Sequence, residues 1–283
     1  MRIASFIHDG HSLYGLVEGD AVRSVNPGFL AKYPTLRATL EADVLAEMPE
    51  MCRTQPLLLA QVDLLPPIPA PSKILCVGLN YKKPYPVAGA SPQSGGIVIF
   101  GRYDDTLVGH GAPLEMPLGE AAQTYDFEGE IVAVIGKTCR HLDAADAMSH
   151  VAGYACMNEG SVRGWQKHSI HAGKNFLASG AWGPWLTTID EAGPIAEMQL
   201  IVRVNGIVMQ DTMASKMIHD LPKLVAYLSH ITQLNPGDVI ATGSPDGTGG
   251  SRTPTAFLKS GDIVEVDVSR VGILRNPVAA PHD

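Results

Sequence analysis

The run Asp126-Phe127-Glu128-Gly129-Glu130-Ile131-Val132-Ala133-Val134-Ile135 is an apolar strand entered through three acids. Successive side chains of a strand turn to opposite faces, so this spacing puts all three carboxylates on one face. Gly129 removes the side chain between the two glutamates. An all-oxygen cluster of this kind suits a hard divalent cation, Mg²⁺, Mn²⁺ or Ca²⁺, better than zinc. The alternative reading is a solvated strand face, and residues elsewhere have to decide between the two.

Outward from this strand, the chain beyond residue 72 is rich in strands: Ile74 to Val77, Ile97 to Phe100, Leu200 to Val204, Val239 to Thr242 and Ile263 to Val268. Asn205-Gly206 is a hairpin turn. Two helices are expected here, near Asp143 to His150 and from Asp220 to Ile231, the second with Asp220 and Pro222 as its start signal. Strands that follow one another without regular helical crossovers argue for a mixed, β-rich α/β fold. The first fifty residues read as a small β-meander followed by a helix from Thr35 to about Met48. Pro66-Pro67-Ile68-Pro69-Ala70-Pro71 is a stiff connector, which sets the expected boundary between a small N-terminal α+β domain, residues 1–68, and a catalytic domain, residues 69–283.

The chain has 283 residues and a formal net charge of -8, with a pI near 5.6. That balance, without any basic run, argues against nucleic acid and anionic membranes as partners. Cys52, Cys76, Cys139 and Cys156 form no CxxC pair and read as reduced, buried thiols. No apolar run approaches bilayer-spanning length, and the N-terminus has no basic segment followed by an apolar stretch, so the expected compartment is the cytoplasm.

Support for the cation reading comes from Asn158-Glu159-Gly160-Ser161-Val162-Arg163 and Gly173-Lys174-Asn175-Phe176. Together with Val77-Gly78-Leu79-Asn80-Tyr81, Glu128-Gly129-Glu130, Val204-Asn205-Gly206 with Gln210, Pro236-Gly237-Asp238, Thr242-Gly243-Ser244-Pro245 and Gly261-Asp262, their order from Lys73 to Val278 resembles the fumarylacetoacetate hydrolase superfamily. The resemblance implies a β-roll-like core, a homodimer, and an enzyme acting on 2,4-dioxo or β-keto acids. It places Glu128 and Glu130 at two metal-ligand positions and Glu159 at the third, where the family usually has aspartate. The extra methylene moves a carboxylate by about 1.5 Å, which a larger ion tolerates more readily than Mg²⁺.

The resemblance further implies that Arg163 and Gln166 hold a substrate carboxylate or metal-bound water, and that Lys174 stands near the substrate oxygens to stabilise an enolate. Tyr81 and Ser244 fall among the substrate-binding positions, Ser244 where many members have threonine. Arg163 as a structural ion-pair partner and Lys174 as an exposed lysine are the bland alternatives. Two departures stand out. The histidine and glutamate that activate water in hydrolytic members align with Pro84 and Val87, which cannot take a proton, and Gly164 replaces a family aspartate. His110, His168, His171, Lys83 and Tyr85 are candidate substitutes, each with a plain loop position as its alternative. The expected activity is metal-dependent C–C hydrolysis by family default. Decarboxylation or keto–enol tautomerisation, needing no water-activating dyad, is the alternative, and an inactive keto-acid binder is the third reading.

Overall fold

The structure, a computed structural model, describes residues 1–82 and 96–280. The positions aligned with the missing dyad, Pro84 and Val87, and the candidates Lys83 and Tyr85 lie outside the described residues. Three N-terminal strands, β1 (Arg2–His8), β2 (His11–Glu18) and β3 (Ala21–Ser24), form the expected antiparallel meander. Later strands are β4 (Ile74–Gly78), β5 (Val98–Gly101), β6 (Gly129–Ile135), β7 (Val151–Asn158), β8 (Gly180–Thr188), β9 (Gln199–Val204), β10 (Ile207–Met213), β11 (Val239–Ala241), β12 (Ile263–Val268) and β13 (Gly272–Ala279).

The larger sheet runs β3-β2-β1-β8-β7-β6-β11-β4-β5, and only the β11–β4 pair along this path is parallel. β1 enters it beside β8, with Ile3 opposite Leu186, so residues before and after the proline connector share one sheet. A second sheet, β10-β9-β12-β13, packs against β6, β7 and β8. The apolar residues of β6 serve both sides of the larger sheet. Ile131, Ala133 and Ile135 join Leu200, Val202 and Val266 in the core between the sheets, whereas Val132 and Val134 join Ile3, Leu36, Met48 and Trp182 in the other. This is the mixed, β-rich α/β fold expected from the strand pattern.

Helix Leu221–Ile231 forms as expected, with the Asp220 side chain accepting from the Lys223 N–H and Leu224, Val225 and Leu228 buried. The helix expected from Thr35 to Met48 is broken. It runs only over Leu36–Glu41, because Asp43 takes a left-handed conformation and the Val44 N–H turns back to the Thr39 carbonyl. The stretch near Asp143 to His150 is a run of turns ending in a 3₁₀ segment, Ala147–His150. The Asn205-Gly206 hairpin is present, with positive φ at both residues. All four cysteines are free and buried. No helix among the described residues is long and apolar enough to cross a membrane.

Candidate active site and metal centre

The acidic cluster is assembled where β6 and β7 pair. Gly129 lies opposite Asn158, and just past that pair the Glu159 N–H donates to the Glu128 carbonyl at 2.7 Å. The Glu128 N–H donates to Asn158 Oδ1 at 3.1 Å, so two glutamates thirty-one residues apart in sequence are fixed side by side. Gly160 completes the turn, where a Cβ would stand 1.6 Å from the Ser179 carbonyl oxygen. Buried Arg102 donates to the Gly160 carbonyl at 2.8 Å and holds that turn in place. Glu128, Glu130 and Glu159 then offer carboxylate oxygens within 4.8 Å of one another, all three side chains buried.

Asp126 leaves this cluster, contrary to the expectation that three acids crowd one strand face. Regular strand begins only at Gly129, and Tyr125–Asp126 pairs instead with Ser161–Val162. Four donors claim the Asp126 carboxylate: the Phe127, Gly249 and Gly250 N–H groups at 2.9, 2.7 and 2.9 Å, and Arg163 Nε at 2.7 Å.

Two cations complete the site. Lys174 ends the short helix Ile170–Lys174, which is capped by Ser169, and its Nζ donates at 2.7 Å to both Glu128 Oε2 and Glu159 Oε2. Arg163 bridges Asp126 and Glu128, its Nη1 meeting Glu128 Oε1. Burial alone would pull both cations down. Glu128 with Glu159 outweighs it at Lys174, and Glu128 with Asp126 at Arg163, so both are raised and stay charged. Glu130 shows the opposite balance. Burial, then the charges of Glu159 and Glu128, push its carboxyl well above the ordinary range, against Lys174 and the Gly243 N–H at 2.8 Å from Oε2.

One oxygen of Glu159, Oε1, is buried without a hydrogen-bond partner among the described residues. A buried acceptor left unpaired costs about 1–3 kcal/mol, more when charged. Three converging carboxylates, one with an orphaned oxygen, fit a hard divalent cation, which would satisfy that oxygen and relieve the repulsion at Glu130.

The structure brings Glu128, Glu130, Glu159, Lys174 and Arg163 into direct contact or within ligand distance. Tyr81 adjoins them: its phenol is buried with no hydrogen-bond partner among the described residues, and burial, then the charge of Glu130, raise its pKa. Ser244 follows Gly243 and accepts from Gln210 Nε2 at 3.0 Å. Gln166 is half-buried with its stem beside Gly173, next to Lys174 in the chain. The histidines stand elsewhere. His110 accepts from the Arg275 N–H on β13, His168 lies beside Trp165 with its ring tilted by 54°, and His171 meets Tyr103 Oη and the Gly101 carbonyl. Arg102 and Gln210 are site residues that the sequence pattern does not single out as such. Only Gln210 carried a signal, its place four residues after Asn205-Gly206.

A family model described as fumarylacetoacetate (FAA) hydrolase C-terminal matches residues 73–279. The mitochondrial oxaloacetate tautomerase fahd2 of Xenopus laevis is 35% identical over 223 residues, covering 77% of this chain and 69% of that protein. Among solved structures, fumarylacetoacetate hydrolase from Exiguobacterium antarcticum superposes with a TM-score of 0.86 at 29% identity, over 99% of each chain. Maleylpyruvate hydrolase from Sphingobium sp. SYK-6, in complex with manganese(II) ion and pyruvate, superposes with a TM-score of 0.81 at 26% identity, over 100% of each chain.

Proposed function

The chain belongs to the fumarylacetoacetate hydrolase family, and on that footing we propose that it is a metal-dependent keto–enol tautomerase of a small 2-oxo dicarboxylate of the oxaloacetate type. The observation that carries the reading is the buried set of Glu128, Glu130 and Glu159 with the Lys174 ammonium locked against two of them. A divalent cation held by the three glutamates would supply Lewis-acid charge to a substrate enolate. Mn²⁺ in the Sphingobium structure supports a cation of this kind.

The chain's own residues would do the rest. Lys174, held charged and fixed in position by Glu128 and Glu159, presents a cation where negative charge develops. Arg163, tethered by Asp126 and Glu128, keeps a buried Nη2 without a partner among the described residues, a donor suited to a carboxylate oxygen. Gln166 would assist at that end. The Tyr81 phenol keeps its proton at neutral pH and has a hydroxyl, unpartnered among the described residues, to place on a substrate oxygen. Ser244 would bind the second substrate carboxylate. All these residues fall in 69–283, which the proposal treats as the catalytic domain, with residues 1–68 extending its sheet.

Hydrolysis, the family default, is supported less well. The tautomerase relative aligns over 77% of this chain, and Pro84 and Val87 offer no side chain that can activate water. We further propose a homodimer, readable by sedimentation, and cytoplasmic placement, although the Xenopus relative is named as mitochondrial.

The test follows the loss of enol absorbance from freshly dissolved oxaloacetate, with Mg²⁺ or Mn²⁺ and after chelation, for the wild type and Glu128→Ala. Chelator-sensitive acceleration that the variant loses is the expected result. No acceleration by the metal-replete wild type overturns the reading, and solvent ¹⁸O entering a product carboxylate would replace it with hydrolysis.

A further inference from the structure

Gln210, on β10 opposite Val202, is 1% exposed. Its Oε1 accepts from the Gly129 N–H at 2.9 Å, between two of the clustered glutamates. Its Nε2 donates to the Pro245 carbonyl at 2.8 Å and to Ser244 Oγ at 3.0 Å. An amide's two ends are normally hard to tell apart, but here the partners decide. A backbone N–H can only donate and a carbonyl can only accept, so Oε1 must face Gly129 and Nε2 must face Pro245.

The consequence falls on Ser244. Its oxygen receives a hydrogen from Gln210, which leaves its own hydrogen for a different acceptor. Among the described residues, the Gln210 amide is the one hydrogen-bond partner of Ser244 Oγ. Ser244 is 4% exposed and follows Gly243, whose N–H holds Glu130 Oε2, so the hydroxyl belongs to the loop that braces the acidic cluster.

We infer that Gln210 is a positioning residue that fixes the Ser244 hydroxyl as a hydrogen-bond donor, making this subsite selective for an anionic oxygen such as a substrate carboxylate. The inference rests on the proposed placing of Ser244 against substrate. It adds that a single buried amide ties that subsite to the backbone of Gly129, between Glu128 and Glu130.

The experiment is a double-mutant cycle on Gln210→Glu and Ser244→Ala in the full chain with saturating Mg²⁺. The readout is calorimetric binding of 3,3-difluoro-oxaloacetate, a dicarboxylate that cannot enolise. In Gln210→Glu one carboxylate oxygen still accepts from Gly129, while the other draws the Ser244 hydrogen to itself. Each single variant is expected to bind about tenfold or more weakly, the scale of a hydrogen bond to a charged group, and the double variant no more weakly than either. Wild-type affinity in Gln210→Glu, additive losses, or no binding by the wild type overturns the inference. If Gln210→Glu does not fold, Gln210→Met takes its place in the cycle with the same two outcomes. Oxaloacetate tautomerisation assayed alongside keeps the two claims apart. Binding without turnover sinks the tautomerase reading and leaves the cycle to decide this one.

Discussion

Gly129→Ala would place a Cβ 2.1 Å from Val202 Cγ2, where carbon atoms need about 3.5–4.0 Å. The shortfall of about 1.4–1.9 Å has nowhere to go. Val202 is fully buried, its branched side chain is stiff, and its strand is paired on both sides, to Gln210 of β10 and Val266 of β12. The segment Glu128-Gly129-Glu130 must move instead, and overpacking of this kind costs about 1–3 kcal/mol. Urea midpoints should fall accordingly, and Mn²⁺ affinity should fall with them, because Glu128 and Glu130 flank the substituted residue. Val202→Ala removes the methyl that clashes, at about 2 kcal/mol of its own for lost packing. The double variant should therefore be more stable than the two losses predict, by about 1–2 kcal/mol. Strict additivity, or a Gly129→Ala protein with unchanged urea midpoint and Mn²⁺ affinity, would refute the claim that this contact positions the acids.

Lys174→Met should lower kcat for oxaloacetate by about 10²–10³ while leaving the protein able to bind Mn²⁺, measured by single-wavelength kinetics and calorimetry. Glu130, raised by burial and by Glu159 and Glu128, stabilises the metal-free fold fully below the unfolded carboxyl value of about 4.3, and that contribution is lost as pH rises through its folded value. Since a ligand carboxylate must shed its proton, metal affinity should climb with pH over the same window, with proton release visible as a buffer-dependent heat. A flat pH profile would count against it. Mn²⁺ at about 100 times its Kd should add about 2.7 kcal/mol of stability, and Glu130→Gln should remove most of that increment in a thermal shift assay.

Much of the architecture was legible because it is local. The strand at Ile131 to Ile135, the Asn205-Gly206 turn and the capped helix Leu221–Ile231 all follow from side-chain period and end signals within a dozen residues. β7 and β8 escaped the reading. Both are central and buried almost throughout, so Tyr154-Ala155-Cys156-Met157 and Gly180 to Thr188 show no alternation of apolar with polar to mark them. The apolar stripe that predicts a helix from Thr35 to Met48 continues across Asp43, where the backbone turns back on itself.

At the site, the sequence by itself determined the kinds of group available and the family they belong to: the acids at Glu128, Glu130 and Glu159, the cations at Arg163 and Lys174, the hydroxyls at Tyr81 and Ser244. Only the tertiary structure decided which of them meet. It sent Asp126 to Arg163 and the glycines at 249 and 250 and brought Glu159 beside Glu128. It also placed Lys174 between those two glutamates and set Gln210 against Gly129. The reason is physical. A strand's period tells which way a side chain points, but a hydrogen bond between residues 15 to 124 positions apart depends on sheet pairing and on which donors reach a buried carboxylate first.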